Sequence, residues 1–410
     1  MRITVAVLGA VALLAAPAHA RDVARVPLGS NIESLVAGPD GGAWVGISGP
    51  LRDSVGRALP GGGYRTSASE HRLAGGVALG PDGQAWFTAS DLLVRADGAG
   101  SLSLTGPFDA IDDFFGPGVA TGPDGTLWAI THAEAHRLVR ISPQGTATAA
   151  PLRPEGCTTQ LPYEELVRAA DGAVWAATVG CERLVRIAPD GRPSVFRTGG
   201  DAPERLAADA AGGVWYAASS IRGFGGHVDA AGRASRIVSD ERATDVAVAP
   251  DGGVWFALGR CAIARVNGAQ LETRPIPIPA HQLAFDRSGG VWLASRTRLV
   301  HAPLDGLAGP CDEAAPIPRV ARRISLAALR RGLRITVREP AIVSAFAEVN
   351  GRSTVRRTRT IRGARGGSFR LRLPARMLRR VARGDRIGLY IRVEDRNGNH
   401  AVTQPRVRVT

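Results

Sequence analysis

The stretch Gly80-Pro81-Asp82-Gly83-Gln84-Ala85-Trp86-Phe87-Thr88 decides how this chain folds, because versions of it occur seven times. The seven tryptophans are Trp44, Trp86, Trp128, Trp175, Trp215, Trp255 and Trp292, spaced 42, 42, 47, 40, 40 and 37 residues apart. Gly stands three places before every one of them, and Asp precedes that Gly in five of the seven repeats. Nine places before each Trp the residue is Val or Leu. A fixed period of this length is the mark of a repeat architecture.

Each phrase reads as a β-hairpin. Asp-Gly is favoured where both central turn residues need positive φ, and Val, Ala, Trp and Phe flank it as strand formers. A second turn follows in most repeats, as at Asp97-Gly98 and Asp190-Gly191, with Leu138-Val139-Arg140-Ile141 or its equivalent between the turns. A last short strand, such as Ser194-Val195-Phe196, ends the unit. Four antiparallel strands per repeat make a propeller blade, so residues 21–308 are expected to form an all-β, seven-bladed β-propeller. The Trp, Gly and Asp residues then serve packing and turns. The seventh repeat lacks an outer strand after Leu299-Val300-His301. Val23-Ala24-Arg25-Val26-Pro27-Leu28 is expected to supply it and close the ring, leaving no open sheet edge.

The 410 residues carry a net charge of +14, unevenly divided. All 51 basic residues are Arg, which excludes Lys Schiff-base chemistry and a P-loop lysine. From Arg319 onward there are 24 Arg against 5 acidic residues, a net of +19, so the preceding part carries the difference, −5. Residues 309–320 read as linker. Residues 321–410 lose the repeat and alternate apolar residues with Arg, the pattern of a small β-sandwich with its Arg on solvent faces. A short helix is expected within residues 374–382. The phrase Val393-Glu394-Asp395-Arg396-Asn397-Gly398-Asn399-His400-Ala401 resembles the closing hairpin of bacterial immunoglobulin-like modules. Such a basic body suits an anionic cell-wall polymer held by charge. No aromatic ladder accompanies the Arg, so no specific nucleic-acid readout is expected.

Residues 1–20 read as a signal peptide: Arg2, an apolar run from Ile3 to Ala16, and the cleavage motif Ala18-His19-Ala20. No later stretch reaches transmembrane length. The expected location is therefore secreted or extracytoplasmic. Four cysteines there suggest two disulfides. Cys157 and Cys181 flank the inner strands of one blade and are expected to pair, leaving Cys261 with Cys311.

A propeller binds ligands at the mouth of its central channel. The residues eleven and ten places before each Trp should begin the inner strands: Glu33-Ser34, Gly75-Gly76, Pro117-Gly118, Glu164-Glu165, Glu204-Arg205, Thr244-Asp245 and His281-Gln282. Loops after the Trp strands add His132, Glu134 and His136. This composition suits a cation, or a small-molecule or peptide ligand. Glu33, Glu164, Glu204 and Asp245 are the candidate ligand contacts.

The phrase GPDG-x-(L/V)-W-F, followed by (L/I)-(V/G)-R-I, resembles the streptogramin lyases, the virginiamycin B lyase family of seven-bladed propellers. That resemblance covers residues 21 to about 305. It implies metal-assisted elimination that opens an ester-bearing cyclic depsipeptide, with a His at an inner-strand start as general acid/base and Mg2+ held by nearby Glu. His281 stands at the matching kind of position and is the candidate catalytic residue. The expected Glu ligands are not matched: Pro279 lies two places before His281, and Ser295 lies three places after Trp292. Thr244 stands where a substrate-holding His is expected. Two readings follow. One is an exported carbon–oxygen lyase. The other is a non-catalytic propeller that binds a ligand or partner and is anchored by its basic C-terminal domain. Lactone hydrolysis by a metal-dependent propeller shares the missing-ligand problem.

Overall fold

The computed structural model describes residues 20–410 apart from 28–29, 91, 107, 109–114, 132–136, 153–162, 179–181, 219–223, 269, 308, 310, 312–313, 315, 350, 364 and 396–398. The expected signal peptide (all but Ala20), Cys157, Cys181, His132, Glu134 and His136 therefore lie outside the described residues, as does the side chain of Glu164.

Seven four-stranded antiparallel sheets follow one another along the chain. The first runs Asn31–Ala37, Ala43–Ser48, Ser54–Ala58 and Tyr64–Ala68. The seventh contains Gln282–Phe285, Gly290–Ala294 and Arg298–Pro303, and its fourth strand is Arg21–Arg25. This strand pairs antiparallel with Arg298–Pro303, Arg21 opposite His301 and Arg25 opposite Arg298. Asp22 holds Arg298 at 2.6 Å, and the Val26 amide donates to the Thr297 carbonyl at 2.9 Å. Val23, Ala24 and Val26 are buried there. The ring closes as the sequence suggests.

The turns before the Trp strands differ in one respect from expectation. Only the Gly has positive φ, between +74° and +87° across the repeats, and the Asp before it does not. The Gly80 amide bonds the Gln84 carbonyl and the Gly83 amide bonds the Gly80 carbonyl, so the loop is a three-residue one ending in a left-handed Gly. Pro39, Pro81, Pro123 and Pro250 suit the first turn position, where a proline ring fixes a negative φ, and Ala170, Ala210 and Arg287 take the same place in the other repeats. The Asp side chain then bonds forward to the second amide beyond it, as Asp40 does to Gly42 at 3.2 Å.

The Trp residues occupy the seams between blades. Trp44 packs in the apolar cluster of the second blade with Ala85 and Phe87, Trp128 in that of the fourth with Leu166 and Val174, and Trp292 in that of the first with Val45. The other four do likewise, each against the next blade round the ring. Within its own blade each Trp stands opposite an Arg or a His: Arg57, Arg95, Arg140, Arg186, His227, Arg265 and His301. The Arg57 guanidinium lies 4.7 Å from the Trp44 ring centre, and the His301 ring 4.4 Å from that of Trp292. Stacking of a guanidinium on a desolvated Trp such as Trp44 contributes about 2 kcal/mol. A carboxylate of the turn completes the unit: Asp40 pairs with Arg57, and in the two repeats without Asp before the Gly, Asp209 and Asp286 pair from two places earlier with His227 and His301.

Cys261, between two strands of the sixth blade, forms a disulfide with Cys311, which follows the ring, with Cα atoms 6.0 Å apart. The C-terminal part has its own core, built from residues such as Leu333, Val343, Ile391 and Val407. Two sheets enclose it. One joins Arg319–Val320, Leu333–Val337 and Gly367–Leu371; the other centres on Ala341–Val349 and Arg386–Asp395. Buried and exposed residues alternate along the strands, as in Arg406–Val409, with Arg on the exposed side. The expected short helix is Ala375–Leu378. A second helix, Leu326–Arg331, was not legible as such; Ser325 caps it by accepting the Ala328 amide. No helix among the described residues is long and apolar enough to cross a membrane.

Removing residues 21–27 strips two buried valines and an ion pair from the closing seam. At about 1.5–3 kcal/mol per buried side chain, the melting temperature should fall by roughly 10 °C. Scanning calorimetry checks this, and an unshifted transition would show that closure contributes nothing.

Candidate functional site

The inner strands of all seven blades line one central channel of about 420 Å³. Its chemistry is polarised along the axis. The strand starts contribute Ser34, Glu165, Arg205, Asp245 and Gln282, whereas the far ends are mostly Ala37, Ala78, Ala208, Val248 and Phe285, with Thr121 and Arg168 as the polar exceptions. Five of the inner strands carry a register irregularity at or just after their starts, as between Ile32 and Ser34 and between Pro203 and Arg205. Bulges re-aim side chains locally. The tenth place before Trp lines the channel in six blades, including the sixth and seventh, whose inner strands carry no such irregularity; in the third blade it is the eleventh, Pro117.

The candidate residues separate accordingly. Asp245 lines the channel; Glu33, Glu204 and His281 do not. Glu165 takes the channel position beside Glu164. The Glu33 carboxylate is turned outward and accepts the Ser48 hydroxyl at 2.7 Å. The His281 amide donates to the Ala294 carbonyl at 2.8 Å. The imidazole lies against Gly259 of the sixth blade, where an added Cβ would meet Nδ1 at 3.4 Å and the Thr244 methyl at 2.8 Å. The Gly259 amide also bonds the Ala280 carbonyl. His281 and Thr244 thus meet at the seam between the sixth and seventh blades. The Gln282 side chain donates to the Glu33 carbonyl, which brings the first blade to the same sector.

The channel carboxylates are engaged with backbone. Asp245 accepts the Leu283 amide at 2.9 Å, and Glu165 accepts the Leu206 amide. In each case a carboxylate ten places before one Trp holds the amide nine places before the next. Arg205 stands between them round the ring. Burial pushes the Asp245 carboxyl up to about 6, against the opposing pull of the Arg205 charge and the Leu283 and Val246 amides.

The resemblance implies magnesium at this mouth. Magnesium needs several oxygen ligands in near-octahedral array. Among the described residues no group of three or more His, Cys, Asp or Glu is placed to hold a metal. Two channel carboxylates are spent on amides, and an Arg separates them. The described part of the mouth does not fit the ion.

The virginiamycin B lyase family model matches residues 22–302. The chain belongs to that family. Among solved structures, a streptogramin B lyase is similar at 16% identity, over 69% of this chain and 96% of its own, with a TM-score of 0.59. Virginiamycin B lyase from Staphylococcus aureus is similar at 18% identity, over 69% and 97%, with a TM-score of 0.58. PorZ, a surface component of the type-IX secretion system of Porphyromonas gingivalis, is similar at 13% identity over 93% of this chain and 59% of its own, with a TM-score of 0.53. At these identities the structural likeness concerns the fold. No curated protein sequence matches the chain.

A folded-state value near 6, above the ordinary 3.8, means that the native protein holds a proton on Asp245 that the unfolded chain has released. The contribution is fully present below pH 3.8 and is lost as pH rises through about 6. Asp245→Asn keeps an acceptor for the Leu283 amide and removes the titration. The variant should therefore gain on the parent by a few degrees in melting temperature between pH 4 and pH 8. A difference independent of pH would remove Asp245 from the titrating groups.

Proposed function

We propose that this is an exported virginiamycin B lyase-family propeller that binds a polar small-molecule or peptide ligand at the strand-start mouth without performing metal-assisted elimination. One observation carries the reading: the channel carboxylates Asp245 and Glu165 hold amides of the neighbouring blade rather than converging on a shared cation. The mouth then offers fixed polar groups, Ser34, Arg205 and Gln282, round a narrow cavity. Such a set orients a ligand. The C-terminal body, at a net +19, anchors the protein to an anionic cell-surface polymer. Export rests on the leader-like residues 1–20 and the Cys261–Cys311 disulfide.

The lyase reading keeps one observation in its favour, the seating of His281 at an inner-strand start beside Thr244. In that reading His281 would transfer the proton at the reacting carbon.

Incubation with a streptogramin B separates the two. Elimination opens the macrocycle without changing its mass, hydrolysis adds one water, and a binding protein leaves the compound intact. We expect intact compound with and without magnesium. Magnesium-dependent ring opening by the parent, abolished in His281→Ala, would overturn the binding reading and establish the lyase.

A further inference from the structure

The outer face of the larger C-terminal sheet carries a feature hidden in the sequence. Phe346 and Tyr390 stand directly opposite one another on neighbouring strands. Their rings are stacked, with centres 5.1 Å apart and planes 17° apart. The Arg356 guanidinium lies 5.8 Å from one ring centre and 5.7 Å from the other. One step along the sheet, Gly388 faces Glu348 on one side and Arg406 on the other. With no side chain at 388 the face is hollow, a depression of about 470 Å³ that Arg386 and Gln404 complete. Nothing in the backbone requires glycine at this place. Its φ is not in the left-handed region, and an added Cβ would meet only Glu348 atoms, at 3.7 and 3.8 Å, which is ordinary contact.

We propose that this hollow is a binding site for a carboxylate-bearing pyranose polymer, an acidic polysaccharide. The inference deepens the anchoring part of the proposed function and rests on it. Three features narrow the ligand beyond simple charge. Arg forks on the rim match carboxylates in bidentate geometry. The aromatic pair offers an apolar surface to the C–H face of a sugar ring. Glu348 and Gln404 line the hollow as acceptors for hydroxyl hydrogens, which a pyranose polymer supplies and a polyphosphate chain does not. A single stacked pair with no further platform along the strand does not suit a run of nucleic-acid bases.

The test uses the full-length protein with polygalacturonate as the probe, and polyphosphate, DNA and neutral dextran as comparators, at low and high salt. Binding of polygalacturonate should exceed binding of the comparators and weaken with salt. Gly388→Leu fills the hollow and Tyr390→Leu removes half of the ring pair. Each should lower polygalacturonate affinity about tenfold and leave polyphosphate binding within about twofold. Unchanged melting temperatures identify the effect as local. Equal affinity for all polyanions, or binding indifferent to both substitutions, would overturn the site while leaving charge-based anchoring in place. No binding to any polyanion would overturn the anchoring as well.

Discussion

The ring depends on one wedge used seven times. Each Trp is held on one face by an Arg or His of its own blade and pressed on the other into the apolar cluster of the next. Trp175 and Trp292 go further and donate their indole N–H to the Gly212 and Gly41 carbonyls in the turn of the following blade. The same side chain is therefore the floor of one blade and the wall of another. That dual duty explains why no repeat loses its Trp, although the hairpins vary in length. A blade without the wedge would have no seam on which its neighbour could stack.

The inner ring applies the same logic with polar groups. Asp245 and Glu165 bind amides of the next inner strand, and Gln282 binds a carbonyl of the first blade. Polar residues at the channel mouth thus have a structural use before any ligand is considered. A carboxylate satisfied by a backbone amide is a poor recruit for a metal, because releasing it leaves a buried donor unpaired. The fold constrains the seams, and the mouth tolerates whatever residues keep the inner strands together.

The period of the Trp phrases made the blades legible, and the surplus strand at residues 23–28 made the closure legible, since both follow from spacing alone. Other features needed three dimensions. The Arg or His opposite each Trp lies 9 to 13 places beyond it, because hairpin length varies, so no single spacing reveals the pair. The inner strand of the fourth blade carries a register irregularity near its start, and Glu165 lines the channel there. A period-two pattern cannot announce a bulge. Phe346 and Tyr390 are 44 residues apart, and only strand pairing joins them. The composition had suggested a face of Arg without aromatic companions.

Closure by the first strand also fixes an order of events. The partner of Arg21–Arg25 is Arg298–Pro303, and their ion pair spans 276 residues. A growing chain can form successive blades as they emerge, since their strands are local hairpins. The seam between last and first must wait until nearly three quarters of the polypeptide is present. Until then the first blade keeps one flank bare and the opening strand stays unpaired. Such a molecule remains an open arc until its seventh blade has been made, and becomes a ring when that blade meets the opening strand.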